Sequence, residues 1–389
     1  MNAFITAVSA FLPGQPVIND DLERYLGKVA RIEAKTKQVI LANNGIESRH
    51  YAIDPETGTT THSNAELAAE AVRRLLSTMP LGRELTLHDL ECLCCGTSSP
   101  DQLLPGHASM VHGELGGGPC EVVSTAGICL SGITALKYGA LSVAVGTSKR
   151  AVATGSELAS TFMRTSFFQA TQGVTANQPE TGKHHPAFSF EAEFLRWMLS
   201  DGAGAVLIES EPTVGGLSLR IDWIEIVSHA HCLETCMYAG AVKQADGSLR
   251  GWREYAVGSE AVWHGVFPIK QDARLLNREV IPTLVGKTLP EVVAKHGLKP
   301  EDIDWFLPHY SSQYFREPLR QQLQEIGFTI PEDRWFTNLV SKGNTGSASF
   351  YIMLEELFSS GRLQKGERIL GFIPESGRFS VGWILLTVV

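Results

Sequence analysis

The sequence predicts an α/β fold built from two duplicated halves, and three pairs of matching segments predict it. Asp89–Ser99 lines up with Asp302–Ser312 at an offset of 213 residues. Each is a short apolar run entered by an acidic residue and left through a small polar loop, the pattern of a buried parallel strand. Val123-Ser124 and Val340-Ser341 both open a Gly-containing stretch ahead of a helical pattern, at an offset of 217. Arg150–Glu157 matches Arg368–Glu375 at an offset of 218. The pairs keep their order along the chain with a drift of five residues, as a repeat would.

Each half reads strand, loop, Gly-led helix, strand. In the first, Cys129 to Val145 is a helix built on Leu130, Ile133, Leu136 and Leu141, with Gly146 where a helix C′ belongs. In the second, Ser347 to Phe358 takes that role, ahead of Gly361 and the strand Arg368–Ile373. Residues 161–200 have no counterpart and form an insertion in the first half, with a polar stretch at Thr171–His185 and an amphipathic one at Phe190–Leu199. Insertions of that length are substrate-facing covers or subunit contacts. Asp201–Ile208 closes the half as a Gly-led strand. Glu, Pro and Gly cluster over Ser210–Gly216, which sets the halves at 1–212 and 213–389.

Composition narrows the function. The 389 residues are 43% hydrophobic and 19% charged, which excludes an extended disordered chain. Thirty-three basic side chains against 42 acidic leave a net charge of −9, the wrong sign for a general nucleic-acid binder. Seven cysteines, odd in number and irregularly spaced, do not describe a disulfide framework. No apolar run reaches the ~18 residues of a membrane span, and Met1–Val8 lacks a basic signal-peptide start. The expectation is a cytoplasmic enzyme that engages neither nucleic acid nor membrane.

Three residues could carry chemistry. Cys129 stands in Ala126-Gly127-Ile128-Cys129-Leu130-Ser131-Gly132 at a helix start, where the positive helix end lowers a thiol pKa; the bland alternative is a buried structural cysteine. His309 ends the apolar strand Trp305–Pro308, where open α/β sheets place ligand crevices, although a lone His is as readily structural. Asn344, in Gly343-Asn344-Thr345-Gly346, could be a turn former. It nonetheless holds in the second half nearly the place that Cys129 has in the first. Halves packed about a pseudo-twofold axis would bring both helix starts together, and that convergence joins the three. His229-Ala230-His231-Cys232 with Cys236 lacks the second ligand pair of a zinc site, so no metal is expected. The glycines of Asp201–Ala205 lack the spacing of a phosphate loop.

These residues in this order resemble the thiolase superfamily and, within it, the β-ketoacyl-acyl-carrier-protein synthase III group. The motifs are Gly45-Ile46-Glu47-Ser48-Arg49, Gly96-Thr97-Ser98-Ser99-Pro100-Asp101, Asp201-Gly202-Ala203-Gly204-Ala205, Pro308-His309 and Gly343-Asn344-Thr345. The resemblance spans nearly the whole chain. It implies a thiolase-like five-layered αβαβα fold with two duplicated halves, a homodimer, and substrates carried on acyl-carrier protein or coenzyme A with no further cofactor. It also implies that Cys129 takes the acyl group from a thioester. The oxyanion would rest on the Cys129 N–H and on a backbone N–H of the C-terminal loop, for which Gly377 is the candidate. His309 and Asn344 would hold the thioester carbonyl of the second substrate, a malonyl or 3-ketoacyl thioester, whose enolate attacks the acyl group in a Claisen condensation.

Departures from the group point to a specialised role. Tyr310-Ser311-Ser312 follows His309 in place of Gln-Ala-Asn, Ser124–Ile128 replaces the usual Asp-Ile-Asn-Ala, and Pro374–Ser380 replaces a Gly-rich loop. The nearer comparison is with secondary-metabolite ketosynthases, including those that close cyclohexanedione or dialkylresorcinol rings. A papain-like hydrolase shares the order Cys, His, Asn but leaves the duplication unexplained. A synthase-like acyltransferase making an ester or amide often has Asp where Asn344 stands. A non-catalytic partner subunit would tend to lose one of the three residues. An acidic carrier protein would need a basic rim, for which Arg196, Arg316 and Arg320 are candidates.

Overall fold

A computed structural model of the chain describes residues 2–28, 34–79, 85–165, 194–255, 261 and 264–389. Nine strands share one hydrogen-bonded order: β1 (Phe4–Phe11), β2 (Cys92–Gly96), β3 (Glu121–Thr125), β4 (Arg150–Glu157), β5 (Gly202–Glu209), β6 (Leu219–Ser228), β7 (Trp305–Pro308), β8 (Arg368–Glu375) and β9 (Ser380–Val388). The order is β7-β8-β9-β6-β1-β5-β4-β2-β3. Only Phe4↔Arg220 and Ile5↔Leu219 join β1 to β6, so the order divides there into two sheets.

The two sheets have one topology. In the first, β5 runs antiparallel between β1 and β4, and β4 pairs parallel with β2, which pairs parallel with β3. In the second, β9 runs antiparallel between β6 and β8, β8 pairs parallel with β7, and a parallel bridge from Phe306 to Trp335 stands where β3 would be. Duplication therefore holds strand for strand. The offsets of 213 and 218 hold as well, since Leu93 pairs with Val152 as Phe306 pairs with Leu370. The middle pair is corrected. Leu93↔Val122 and Phe306↔Trp335 make Trp335 the counterpart of Val122, still at 213. Val340-Ser341 lies instead in a helical turn, Leu339–Lys342, so the extra residues enter after Trp335.

Among the described residues the layers are completed by the helices α1 (Asn64–Ser77), α2 (His107–Leu115), α3 (Leu130–Ala144), α4 (Ala273–Ile281), α5 (Thr288–His296), α6 (Arg316–Glu325) and α7 (Ser349–Ser359). Alternation in the strands assigns the faces. Cys92, Cys94, Ala151 and Ala153 of the first sheet, with Trp305, Leu307, Ile369 and Ile373 of the second, pack with α3 and α7 in one central core. Leu93, Cys95 and Val152 face the opposite way onto α1 and α2. Phe306, Leu370 and Phe372 face α4, α5 and α6. The result is αβαβα. Helix starts follow local chemistry: Ser63 accepts from the Glu66 N–H and Glu66 returns the bond to the Ser63 N–H, while Asp272 accepts from the N–H groups of Arg274 and Leu275 ahead of α4.

Of the insertion at 161–200, the stretch Thr171–His185 lies outside the described residues. Phe194–Trp197, from its amphipathic part, is a 3-10 turn whose four residues are all buried. Among the described residues no helix is long and apolar enough to cross a membrane.

Candidate active site

Cys129 is set by a strained turn. β3 ends at Thr125, and the chain turns through Gly127 (φ 129°) and Ile128 (φ 34°) before α3 begins. A β-branched residue at positive φ is costly and persists only where its surroundings impose it. Here Thr125 Oγ1 donates to the Ser131 carbonyl at 2.7 Å, Ser131 Oγ donates to the Ile128 carbonyl at 2.7 Å, and the Ser131 N–H donates to the Gly127 carbonyl at 3.1 Å. These bonds hold Cys129 at the N-cap of α3, facing a cavity of about 440 Å³.

His309 follows β7, and its N–H donates to the Phe372 carbonyl at 2.8 Å. Burial pulls its pKa down to about 4, so the imidazole is neutral near pH 7. Asn344 is tied at both ends of its backbone: its N–H donates to the Met198 carbonyl at 2.9 Å and its carbonyl accepts from the Ser200 N–H at 2.8 Å. Its side-chain Oδ1 accepts from the Gly346 N–H at 3.0 Å. That bond assigns the amide and leaves Nδ2, a donor only, for the cavity. Cys129 from the first half and His309 and Asn344 from the second thus line one cavity. The rest of the wall is mostly apolar, with Phe162, Leu195, Met198, Leu276 and Ile281 among its members.

One residue of this wall escaped the sequence reading. Glu157, the last residue of β4, is buried and lines the cavity. Its Oε2 accepts from Ser98 Oγ at 2.7 Å and from the Ser347 N–H at 3.2 Å, and its Oε1 accepts from Ser99 Oγ. The signal was present, because the third repeat ends on a glutamate in both halves, Glu157 and Glu375.

The structure overturns the expected thiolate. The Cys129 pKa is raised, first by burial and then by the negative carboxylates of Glu157 and Glu375. Those opposing effects outweigh the helix N-terminus and the thiol's own backbone N–H. Gly377 does not offer an open amide either: its N–H is taken up by the Glu375 carboxylate, while Pro374 and Ser376 of the same turn line the cavity.

The expected basic rim is corrected in part. Arg196 is buried, donating to the backbone carbonyls of Met163, Leu26 and Gly27. Arg316 pairs with Glu332 at 2.8 Å, and Arg320 pairs with Glu317 at 2.5 Å. His229 Nε2 meets Thr288 Oγ1 at 2.8 Å, and Cys236 Sγ donates to the Asp272 carbonyl. Among the described residues no group of three or more metal-ligating side chains is gathered.

Residues 293–374 match the family model described as 3-Oxoacyl-[acyl-carrier-protein (ACP)] synthase III C terminal. The β-ketoacyl-[acyl-carrier-protein] synthase III of Methylococcus capsulatus is 25% identical over 366 residues, covering 94% of this chain and 93% of the relative. That of Chlorobaculum tepidum is 24% identical over 95% of this chain and 94% of its own. Among solved structures, AbyA1, a tetronic acid condensing enzyme, superposes with a TM-score of 0.74 at 22% identity over 99% of each chain. A variant of OleA from Xanthomonas campestris superposes with a TM-score of 0.74 at 22% identity over 100% of this chain and 98% of that one. Strand-for-strand duplication, the layered fold and these likenesses agree on a ketosynthase-type condensing enzyme of the acyltransferase class, similar to the β-ketoacyl-acyl-carrier-protein synthase III enzymes along nearly the whole chain.

Proposed function

We propose that Cys129 carries an acyl group and condenses it with a malonyl or 3-ketoacyl thioester, in specialised lipid or polyketide synthesis. The observation that carries this reading is the meeting of Cys129, His309 and Asn344, drawn from both halves, in one largely apolar cavity. The Cys129 sulfur attacks the thioester carbonyl, and its proton ends on the departing thiolate. The Cys129 N–H is the first donor to the oxyanion. Gly377 becomes the second donor only when Glu375 releases its amide. His309 and Asn344 Nδ2 then donate to the carbonyl of the second thioester. Loss of CO₂ from a malonyl group, or of a proton from a 3-ketoacyl group, leaves an enolate that these donors stabilise. Its carbon attacks the acyl carbonyl, a C–C bond forms, and the C–S bond to Cys129 breaks; the Cys129 sulfur regains its proton, which balances the one lost from the 3-ketoacyl group or, after loss of CO₂, comes from water. Every step uses only the two thioesters and water, so no further cofactor is required. The apolar wall suits an alkyl chain, and a ring-closing second condensation would use the same donors.

Acyl-carrier protein or coenzyme A delivers both substrates in this reading, and the working unit is a homodimer. The test is intact-protein mass spectrometry with a panel of acyl thioesters. The wild type should gain one acyl mass that Cys129→Ala does not, and malonyl or 3-ketoacyl thioester should discharge it into a C–C bonded product. Equal loading of the alanine variant would sink the reading.

A further inference from the structure

Each step of the condensation asks the cavity for hydrogen-bond donors, because negative charge gathers on the substrate oxygens. One side chain of the wall offers the opposite. Gln271 is 3% exposed and lines the cavity. It belongs to a two-residue strand, Lys270–Gln271, paired antiparallel with Met237–Tyr238. Alternation sends Lys270 away, to the Ala241 carbonyl at 3.2 Å, and leaves Gln271 beside Met237. Gln271 Nε2 donates to Ser376 Oγ at 2.8 Å, and that hydroxyl donates in turn to Met237 Sδ at 3.8 Å. These bonds assign the amide, with its nitrogen on Ser376 and its oxygen toward the cavity. Oε1 can only accept, and among the described residues no donor reaches it. Other oxygens of the wall are already engaged: Glu157 is held by Ser98, Ser99 and the Ser347 N–H, and the Tyr310 hydroxyl is bonded to Arg316.

A buried acceptor that a substrate covers without pairing is costly, so a site built around one selects for the donor it lacks. The position of Gln271 says which part of the substrate that is. On one side, its partner Ser376 precedes Gly377, where an added Cβ would lie 2.7 Å from Ile128 Cδ1, in the turn that holds Cys129. On the other, Asp272 caps α4, whose Leu276 and Ile281 belong to the apolar wall. Gln271 stands between the thiol and the surface that suits an alkyl chain. We propose that Gln271 Oε1 accepts a hydroxyl group of the acyl chain, so that Cys129 takes hydroxylated acyl groups in preference to plain ones. This rests on the reading that Cys129 carries the acyl group. Loading forms the Cys129 S–acyl bond, breaks the donor's C–S bond and leaves the thiol proton on the departing thiolate. The hydroxyl keeps its proton throughout and only donates it to the amide oxygen as a hydrogen bond.

Competition between the octanoyl thioester of N-acetylcysteamine and each of its monohydroxylated derivatives tests this, because one added oxygen separates the adducts by intact-protein mass spectrometry. The wild type should favour at least one hydroxylated chain by about tenfold or more. Gln271→Leu, close in size and without the acceptor, should abolish or reverse that ratio. Ser376→Ala releases the amide to turn its nitrogen toward the cavity and should shrink the ratio by about threefold. Equal loading of plain and all hydroxylated chains by the wild type overturns the proposal, as does a ratio unchanged in the variants; where Gln271→Leu does not fold, Ser376→Ala decides. The N–H of the carrier arm is the rival donor, and thioesters of mercaptoethyl acetate lack it. On that arm the hydroxyl preference should persist; if Gln271→Leu alters only the choice between the two arms, Gln271 reads the carrier and the proposal falls. Protection needs no acyl transfer: a hydroxylated octanamide should shield Cys129 from iodoacetamide at about tenfold lower concentration than octanamide. Loading without preference therefore counts against the hydroxyl subsite alone, whereas protection with preference but no loading counts against the acyl-enzyme reading and leaves the subsite standing.

Discussion

The amide of Asn344 is oriented by its neighbour. Because Oδ1 is bound by the Gly346 N–H, the side chain can only donate to what enters the cavity, which is what an enolate needs and a general base does not. Asn344→Ala should leave acyl loading of Cys129 within about threefold and slow the condensing step by about 100-fold, the cost of one lost oxyanion donor. Equal slowing of both steps, measured by mass spectrometry of the adduct and of the product, would assign Asn344 to the fold instead. His309 makes a prediction about pH. Its pKa falls from 6.5 in the unfolded chain to about 4 when buried, so between those values the unfolded chain binds the extra proton. Stability from the neutral ring is complete above pH 6.5 and is lost as pH falls toward 4. The effect is worth about 3 kcal/mol. Asp201, raised to about 6 by burial, works in the opposite sense, so the wild type alone cannot isolate the histidine. His309→Gln should reduce the proton uptake on unfolding in this window by about one. Denaturant titrations at pH 4.5 and 7 would show an unchanged slope if the reading is wrong.

At the scale of elements, the helix starts of α3 and α7 abut where the two halves meet. A Cβ on Gly132 would lie 2.3 Å from the Ser347 carbonyl oxygen, and one on Gly155 would lie 2.2 Å from the same atom. Tyr351 Oη meanwhile donates to the Gly132 carbonyl at 2.8 Å. Backbone cannot yield as a side-chain tip can, so Gly132→Ala and Gly155→Ala should each cost about 3 kcal/mol. Gly113→Ala in α2 meets nothing within 4 Å and should be neutral or slightly stabilising. Chemical denaturation of the three variants checks this, and equal midpoints would refute the close approach. These same elements show what a sequence can and cannot carry. Helix limits were legible because Gly146 stands at a positive φ of 79° just past α3, and apolar spacing marks the buried face. The middle repeat was misread because Val-Ser recurs by chance, while the true counterpart of Val122 is a bridge at Trp335 with no strand pattern of its own. No residue preference marks Ile128 for a positive φ, which the bonds of Thr125 and Ser131 across the turn hold in place. The lowered thiol pKa expected at a helix start failed for a long-range reason. Glu157 lies 28 positions after Cys129 and Glu375 lies 246 after it, and only the folded halves bring their charges to it.

At the scale of the whole molecule, one edge of the nine-stranded order stands open among the described residues. β7 is covered on its outer side by the Trp335 bridge, whereas among the described residues β3 pairs only with β2, with Glu121 and Val122 exposed. The helix beside it is also apolar outward: Tyr138, Leu141 and Val145 of the α3 face are exposed, and Tyr138 Oη donates to Glu121 of β3 at 2.5 Å. Leu103 and Leu104 stand out on the same half at 69% and 85% exposure. An unprotected apolar edge is a template for strand pairing, and a second copy offers a self-complementary partner across a twofold axis. The expected homodimer would therefore form through β3, making one continuous sheet and covering α3 on both sides. Light scattering after size exclusion should give about twice 42.4 kDa at micromolar concentration. Val122→Pro removes an N–H from the edge and forbids the ladder, so it should shift the protein to the monomer mass while leaving Cys129 open to iodoacetamide. A wild-type monomer at high concentration, or a Val122→Pro dimer, would place the partner elsewhere. The edge matters for chemistry because β3 runs straight into the Ile128 turn. Pairing that stiffens the strand would also stiffen the support of the thiol, so the monomeric variant should load acyl groups more slowly than the dimer even though no cavity residue has changed.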